Sequence, residues 1–398
     1  MINISNAKGN TPPTQQGIAF LEIAFRPFFL LASLFSIVAL LLWNGLLTGD
    51  LTLNLYGGSL WWHIHEMLFA FVTAVIVGFL LTAVQNWTGV RSLNGTGLLL
   101  LVILWLTARV LFFFPGTLPQ MLIAGVDLAF LPVSALALAY PIIKVKMWRN
   151  FMFIPILLIM ASSNAVMHYS VATQNYPLMT QASSAMVLLV TLVMCIMGGR
   201  VFPMFTANGT RTPRVPAIMW LEHLATGSIL LAVLSGFKLI ELPTIVTAII
   251  FFVAAATHTV RVFRWKIWVT LKTPLVWSLH ISYWCIALGL FMFGLSEISP
   301  LVSHSQAIHT LTVGGMATMI LAMISRVSLG HTGRNIVVGK VMTIAFMAII
   351  LAFISRVFGL YWLTNYNHVM TSAIVFWVIG YGCFVALYFP ILIKPRAL

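Results

Sequence analysis

A series of apolar runs, each roughly 18 residues or longer, recurs from residue 27 almost to the C-terminus and limits what this chain can fold into. A run of that length crosses a bilayer as an α-helix, because a helix pairs its own backbone polar groups where no water is present. Only 7% of the residues are charged, against about 25% in a soluble domain. The sequence therefore predicts an all-α polytopic membrane protein.

We place twelve transmembrane helices in one bundle covering residues 24–394. Residues 1–23 are predicted to be a disordered or interfacial N-terminal tail, since they are polar at first and have little to bury. The predicted spans are 27–47, 61–84, 97–114, 121–140, 151–168, 178–198, 217–237, 243–263, 275–294, 304–327, 338–357 and 367–391.

The basic residues give the orientation. With these spans, all of the 21 Lys and Arg residues except Arg109, Lys238 and Arg356 fall on the side of the N-terminal tail. Positive charge accumulates in cytoplasmic loops, so both termini are predicted to be cytoplasmic. The net charge of +14 is thus attributed to loops that contact membrane lipid, and nucleic acid is excluded as a partner.

The stretch 61–89, WWHIHEMLFAFVTAVIVGFLLTAVQNWTG, carries His63, His65 and Glu66 near the outer end of the second helix. Ionisable groups at membrane depth are costly and indicate a functional site, here a metal or heme site. At 100° per residue the two histidines point about 200° apart, so one macrocycle cannot easily take both. Glu66 is expected to share the side of His63. One histidine is then a ligand, and the other, with Glu66, supports it or binds a second metal.

The other histidines divide into two layers. The outer layer adds His168, His304 and His309 to the helix-2 pair, and Arg109 and Asp127 in the same layer are predicted to form a buried ion pair between helices 3 and 4. The inner layer contains His258 and His280, near Arg261 and Arg264, which are candidates for a second metal or for heme propionates. Helices 2 and 10 offer imidazole at similar depth, and we predict that His65 and His309 ligate one heme.

Softer ligands are also present. Met316, Met319 and Met323 follow one another along helix 10, and Met194, Cys195 and Met197 lie together on helix 6. Such side chains suit Cu(I), although Met is also ordinary packing material. Cys195, Cys285 and Cys383 are scattered and form no C-x-x-C-H motif, so a heme would be non-covalent and of the b type.

Two segments between predicted spans, 198–214 and 325–335, combine Gly, Thr and Arg and are predicted to be cytoplasmic loops. Their Arg side chains and backbone N–H groups suit carboxylate or phosphate groups. Contact of their positive charge with lipid headgroups is the simpler alternative.

Several blocks together resemble the NnrS family of bacterial membrane proteins: AFRPFFLLAS, the 61–89 stretch, GGRVFPMFTANGT, LVWSLHISYW and HTLTVGGMATMILAMISRVSLGHTGR. The resemblance implies association with heme and copper, denitrification and nitric oxide resistance in the bacterial cytoplasmic (inner) membrane. The family's histidine motifs match His63, His65 and Glu66, then His280, and then His309 and His331. Ala70 stands where the family more often has Gly, which alters local packing and removes no ligand.

Two functions remain open at this point. The first is a heme protein, with copper as a further cofactor, that handles nitric oxide or iron-nitrosyl species. It would be an oxidoreductase if it turns over, with an unidentified electron donor. His65 and His309 would bind heme, Glu66 and His63 would either support the ligands or relay protons, and Arg109 and His280 would help to bind the cofactor. The alternative is a secondary transporter, which usually has repeats and interrupted helices at mid-membrane. The twelve-helix plan is also similar to the catalytic subunit of heme–copper oxidases, but the chain lacks their His-His pair and His-Pro-Glu block.

Overall fold

The computed structural model describes residues 18–238 and 241–397, and residues 1–17 of the predicted N-terminal tail lie outside them. Within the described residues the chain is helical and contains no β-strand. We number the helices α1 to α12 in chain order. Their bounds are α1 Phe25–Thr48, α2 Gly58–Thr88, α3 Gly95–Leu111, α4 Gln120–Lys144, α5 Phe153–Ala172, α6 Tyr176–Thr210, α7 Met219–Gly236, α8 Thr244–Arg264, α9 Pro274–Ile298, α10 His304–His331, α11 Lys340–Phe358 and α12 Tyr366–Ile393.

The predicted fold class is confirmed. In the described part of the chain, eleven helical segments are long and apolar enough to cross a membrane, and α3 is a shorter apolar helix of 17 residues. Twelve crossings therefore stay a prediction that depends on α3.

Four helices form the centre of the bundle. In the most apolar stretches of α2, α6, α9 and α10, between 72% and 78% of residues are buried, whereas the other long helices reach 33–50%. Neighbours in sequence mostly pack as neighbours in space, and α12 returns to pack along α1. The central helices are thus shielded from lipid, which is where polar side chains can be kept paired.

The two ends of the helical region meet. Arg26, at the start of α1, donates through Nη1 to the carbonyl oxygen of Leu392 at 3.0 Å, near the end of α12. The first helix therefore begins on the face of the bundle where the last one ends. This arrangement agrees with termini on a common side and leaves open which side of the membrane that is.

The prediction that segments 198–214 and 325–335 form loops was largely wrong. α6 continues through Pro203 to Thr210, and α10 continues to His331. Packing overrides the loop-like composition, because the glycines of 198–214 let other side chains come close. A Cβ added to Gly198 would lie 2.9 Å from the Tyr283 ring, and one added to Gly199 would overlap the guanidinium of Arg261.

Two helices contain a π-helical segment directly after a histidine. In α2 the π segment is Glu66–Val72, following His65, and in α10 it is Thr310–Ala317, following His309. A π turn holds one more residue than an α turn, and such turns occur frequently at functional sites. The wider turns therefore draw attention to the histidines just before them.

Candidate functional site: a buried polar cluster beside a histidine-lined cavity

A buried polar cluster joins α2, α4 and α5. At its centre, Asp127 Oδ2 lies 3.1 Å from His65 Nε2 and 3.1 Å from His168 Nε2. Asn164 donates through Nδ2 to the same carboxylate oxygen at 2.7 Å, and its Oδ1 lies 2.9 Å from His65 Nε2. His65, Asp127 and His168 form a group of potential metal ligands whose ligand atoms lie within 4.8 Å of one another.

Charged partners from α2 and α3 complete the cluster. Arg109 pairs with Asp127 through Nη2 and with Glu66 Oε1 through Nη1 at 2.8 Å. The same Glu66 oxygen lies 3.0 Å from His65 Nδ1, while Glu66 Oε2 has no hydrogen-bond partner among the described residues. Each of the six side chains in the cluster is at most 5% exposed. Two carboxylates and one guanidinium leave one negative charge to balance in a place where an unpaired charge is costly.

Aromatic groups fix the histidine rings. Trp61 stacks on His65 with 4.5 Å between centroids and 12° between planes. The hydroxyl of Tyr56, in the segment between α1 and α2, lies 3.2 Å from His168 Nδ1. Burial, followed by the nearby Asp127 charge, raises the pKa of Tyr56 to about 12, so the phenol keeps its proton at neutral pH. The cluster therefore reaches from the helix interior to the interhelical segment before α2.

The second feature is a cavity of about 360 Å³ between α1, α2, α6, α10, α11 and α12. This volume lies within the usual range for small-molecule and cofactor pockets. Its wall is mostly apolar and includes Met67, Met316 and Trp377. Its polar part contains three histidines and one cation, which are His63, His304, His309 and Arg356.

His309 has a defined tautomer. Its Nδ1 lies 2.7 Å from the carbonyl oxygen of Ser305, one turn earlier in α10. A carbonyl can only accept, so Nδ1 carries the hydrogen and Nε2 keeps its lone pair. Metal-binding histidines are oriented by this kind of bond. His309 is thus prepared to act as a ligand through Nε2.

The other polar groups of the cavity have different partners. His63 stacks on Trp43, with 4.4 Å between centroids, and its ring has no hydrogen bond within the described residues. His304 Nε2 is 3.0 Å from the Ser184 hydroxyl. Arg356 donates to Ser305 Oγ at 3.0 Å. His63 therefore has both ring nitrogens available, and Arg356 places a positive charge in the cavity wall.

The inner histidines have separate partners. His258 Nδ1 is 2.8 Å from the Tyr283 hydroxyl, which also accepts from Arg261 at 2.8 Å. His280 Nε2 is 2.8 Å from Thr206 Oγ1, and its Nδ1 has no partner in the described part of the chain. No hydrogen bond joins the two rings within the described residues. Their predicted role in binding metal or propionates stays a prediction.

A family model described as NnrS protein matches residues 19–396, nearly the whole chain. This chain belongs to the NnrS family. Membership supports a membrane protein of the nitric oxide response. No match was found among curated proteins.

The geometry divides the predicted NnrS site residues differently from the sequence interpretation. His65 and His309 do not meet in the structure: both nitrogens of His65 contact groups of the buried cluster, while His309 faces the cavity with His63. The expected sharing of one side by Glu66 and His63 was wrong, because the Glu66 carboxylate pairs with Arg109 and His65. The predicted Arg109–Asp127 ion pair and the divergence of His63 from His65 are confirmed.

Sequence reasoning missed several members of the site in this NnrS chain. Arg356 was counted only as an exception to the charge bias, and Tyr56, Trp43 and Ser305 were not considered. Arg356 follows α10 by 25 residues in an antiparallel neighbour, and no short-range spacing connects it with His309. The sequence did hold one indication: Arg356 lies on the predicted outer side, which has almost no other basic residue, and this position could have marked it as functional.

Proposed function

We propose that this protein binds a non-covalent heme b in the cavity and uses it in defence against nitric oxide or iron-nitrosyl species. His309 would hold the heme iron from its anchored ring, and His63, on the facing helix α2, would be the second residue to hold it. The observation that carries this proposal is the fixed tautomer of His309 in a cavity that His63 also lines. His65 is replaced as a heme ligand because its ring lies in the buried cluster, where it faces Glu66, Asp127 and Asn164, and does not line the cavity.

The remaining lining suits a heme. The apolar walls would cover the macrocycle, and Arg356 provides a cation for a propionate, as Arg commonly does for carboxylates. Heme iron supplies a binding position for nitric oxide when an axial position is open. Of the two histidines, His63 would be the one able to leave the iron free for nitric oxide, because no hydrogen bond among the described residues holds its ring, whereas His309 is bonded to Ser305.

Absorption and EPR spectra of the purified full-length protein test the assignment. His309→Ala should lose the Soret band. His63→Ala should keep heme and change it from low to high spin. His368→Ala is a matched control, since His368 is exposed and lies outside the cavity. If His309→Ala and His63→Ala both retain the unaltered spectra, the heme assignment is wrong.

Copper is the second cofactor that we propose. The thioethers of Met67 and Met316 line the same cavity, and thioether sulfur is a donor that Cu(I) accepts. Copper analysis of the Met67→Leu/Met316→Leu protein should show a loss of copper with heme retained. Met194→Leu, at a buried position outside the cavity lining, should retain both. Equal copper in the two proteins would remove this assignment.

A secondary transporter remains the alternative. That class commonly unwinds its helices at mid-membrane, whereas α2 and α10 here pass through π turns without losing helical structure. In the bacterial cytoplasmic membrane, heme-dependent protection from a nitric oxide donor would support the proposed function. Protein that takes up no heme, yet still moves a solute, would favour transport.

A further inference from the structure

We propose that His65, His168 and Asp127 bind a divalent transition metal, in a buried site separate from the cavity. The donor set is that of the two-histidine, one-carboxylate group that binds non-heme Fe(II) with positions left open. This inference uses none of the residues assigned to heme, and it stands or falls independently of the heme proposal.

The first support is the direction of the ring nitrogens. His65 and His168 both turn Nε2 toward Asp127 Oδ2, each at 3.1 Å. Ligand bonds of roughly 2.1 Å at right angles put neighbouring donor atoms about 3.0 Å apart. The Asp127 oxygen thus lies from each of the two imidazole nitrogens at the distance expected between neighbouring ligands of an octahedral site, and all three donor atoms lie within 4.8 Å of one another.

The second support is what holds the opposite side of each ring. Nδ1 of His65 faces the Glu66 carboxylate at 3.0 Å, and Nδ1 of His168 faces the Tyr56 hydroxyl at 3.2 Å. Metal-binding histidines almost always have the nitrogen that does not bind metal held in this way, most often by a carboxylate, a backbone carbonyl or water. Asn164 orients the third donor by donating to Asp127 at 2.7 Å.

The third support is charge. Glu66 and Asp127 face a single guanidinium, Arg109, and all three are at most 4% exposed. A cation is needed to offset the excess negative charge, and either a bound metal or a proton on His65 can provide it. The unpartnered Glu66 Oε2 is a further buried acceptor beside the site. A metal would bind both converging Nε2 atoms, whereas with a proton on His65 the two rings donate hydrogen bonds to Asp127 Oδ2, and metal loading distinguishes these two states.

Fe²⁺ itself is the probe. Purified full-length protein is stripped with a chelator, loaded anaerobically with Fe²⁺, desalted and analysed for iron. One iron per chain beyond any heme iron is expected. Added nitric oxide should then give the EPR signal of a high-spin non-heme iron–nitrosyl. This measurement uses the unaltered protein, so it does not depend on whether a variant folds.

Variants locate the site. His168→Gln and His65→Gln should each weaken Fe²⁺ binding by roughly tenfold or more, since ligand positioning alone is worth that much. His368→Gln is the control, because His368 is exposed and lies at the start of α12, outside the cluster. His309→Ala should keep this iron while losing heme, which separates the two proposals. No Fe²⁺ above the level in His65→Gln/His168→Gln protein, and no nitrosyl signal, would overturn the proposal and assign the missing charge to a proton on His65.

Discussion

His63 and His65, separated by a single residue on α2, each stack on a tryptophan and belong to different sites. His63 lies on Trp43 with 11° between the rings and lines the cavity, whereas His65 lies on Trp61 with 12° and contacts the buried cluster. Helix α2 is therefore a wall shared by two chemically distinct environments. The two substitutions should have separable effects.

We expect His63→Ala to alter the heme spectrum and leave thermal stability nearly unchanged. His65→Ala should keep the Soret band and lower the unfolding temperature, because its removal leaves Glu66 and Asp127 short of a partner. Absorption spectra and thermal unfolding in one detergent check both variants. Loss of heme in His65→Ala alone would restore the original pairing of His65 with His309.

Arg109→Met should destabilise the protein by about 3–5 kcal/mol, since it leaves two buried carboxylates without their common guanidinium. Denaturant or thermal unfolding in detergent measures the change. Adding Asp127→Leu to Arg109→Met should recover part of the stability, because the unpaired charge is removed with its partner. A double variant less stable than the single one would show that the ion pair is not what the Arg supplies.

Gly199→Ala should destabilise by about 1–3 kcal/mol through overpacking. The new methyl would occupy space taken by the Arg261 guanidinium, which is held by Glu222, Tyr283 and the Cys195 carbonyl. Gly125→Ala on α4 is the matched control, since its Cβ would meet nothing within 4 Å. Equal unfolding temperatures for the two variants would contradict the close approach at Gly199.

Cysteine labelling tests the orientation, which the charge pattern predicts. Arg149→Cys and Arg214→Cys, both exposed, should resist a membrane-impermeant reagent in whole cells and react after lysis. Leu301→Cys, 73% exposed in the segment before α10, should react in whole cells. Labelling of Arg149→Cys in intact cells would reverse the proposed topology.

Much of the fold followed from periodicity and length alone. Apolar runs locate helices because lipid allows few alternatives, and the Arg109–Asp127 pair followed because two opposite charges in adjacent apolar helices must meet. Helix ends were less accurate where Gly and Pro occur. Gly198 and Gly199 looked like a loop, yet they are close contacts inside a helix.

The site was harder to predict, because partners come from distant parts of the chain. Depth grouped His63, His65, His168 and His309 in one predicted layer, but depth carries no information on which face of a helix a ring occupies. His65 and His309 appeared equivalent by depth and lie in different environments. Helical angles separated His63 from His65, and they could not show that Glu66 would turn to Arg109, 43 residues later.

Because of the π turns, the direction in which His63 and His309 point depends on the exact number of residues in α2 and α10. Deleting one residue from Glu66–Val72 would convert that turn to α-helix and rotate everything before it by about 100° relative to the rest of α2. His63 would then turn away from the cavity while the C-terminal half of the helix kept its packing. The same holds for Thr310–Ala317 and His309. In these two helices, the number of residues fixes the direction in which His63 and His309 point. Deleting a single residue would turn either side chain out of the cavity without unfolding the bundle.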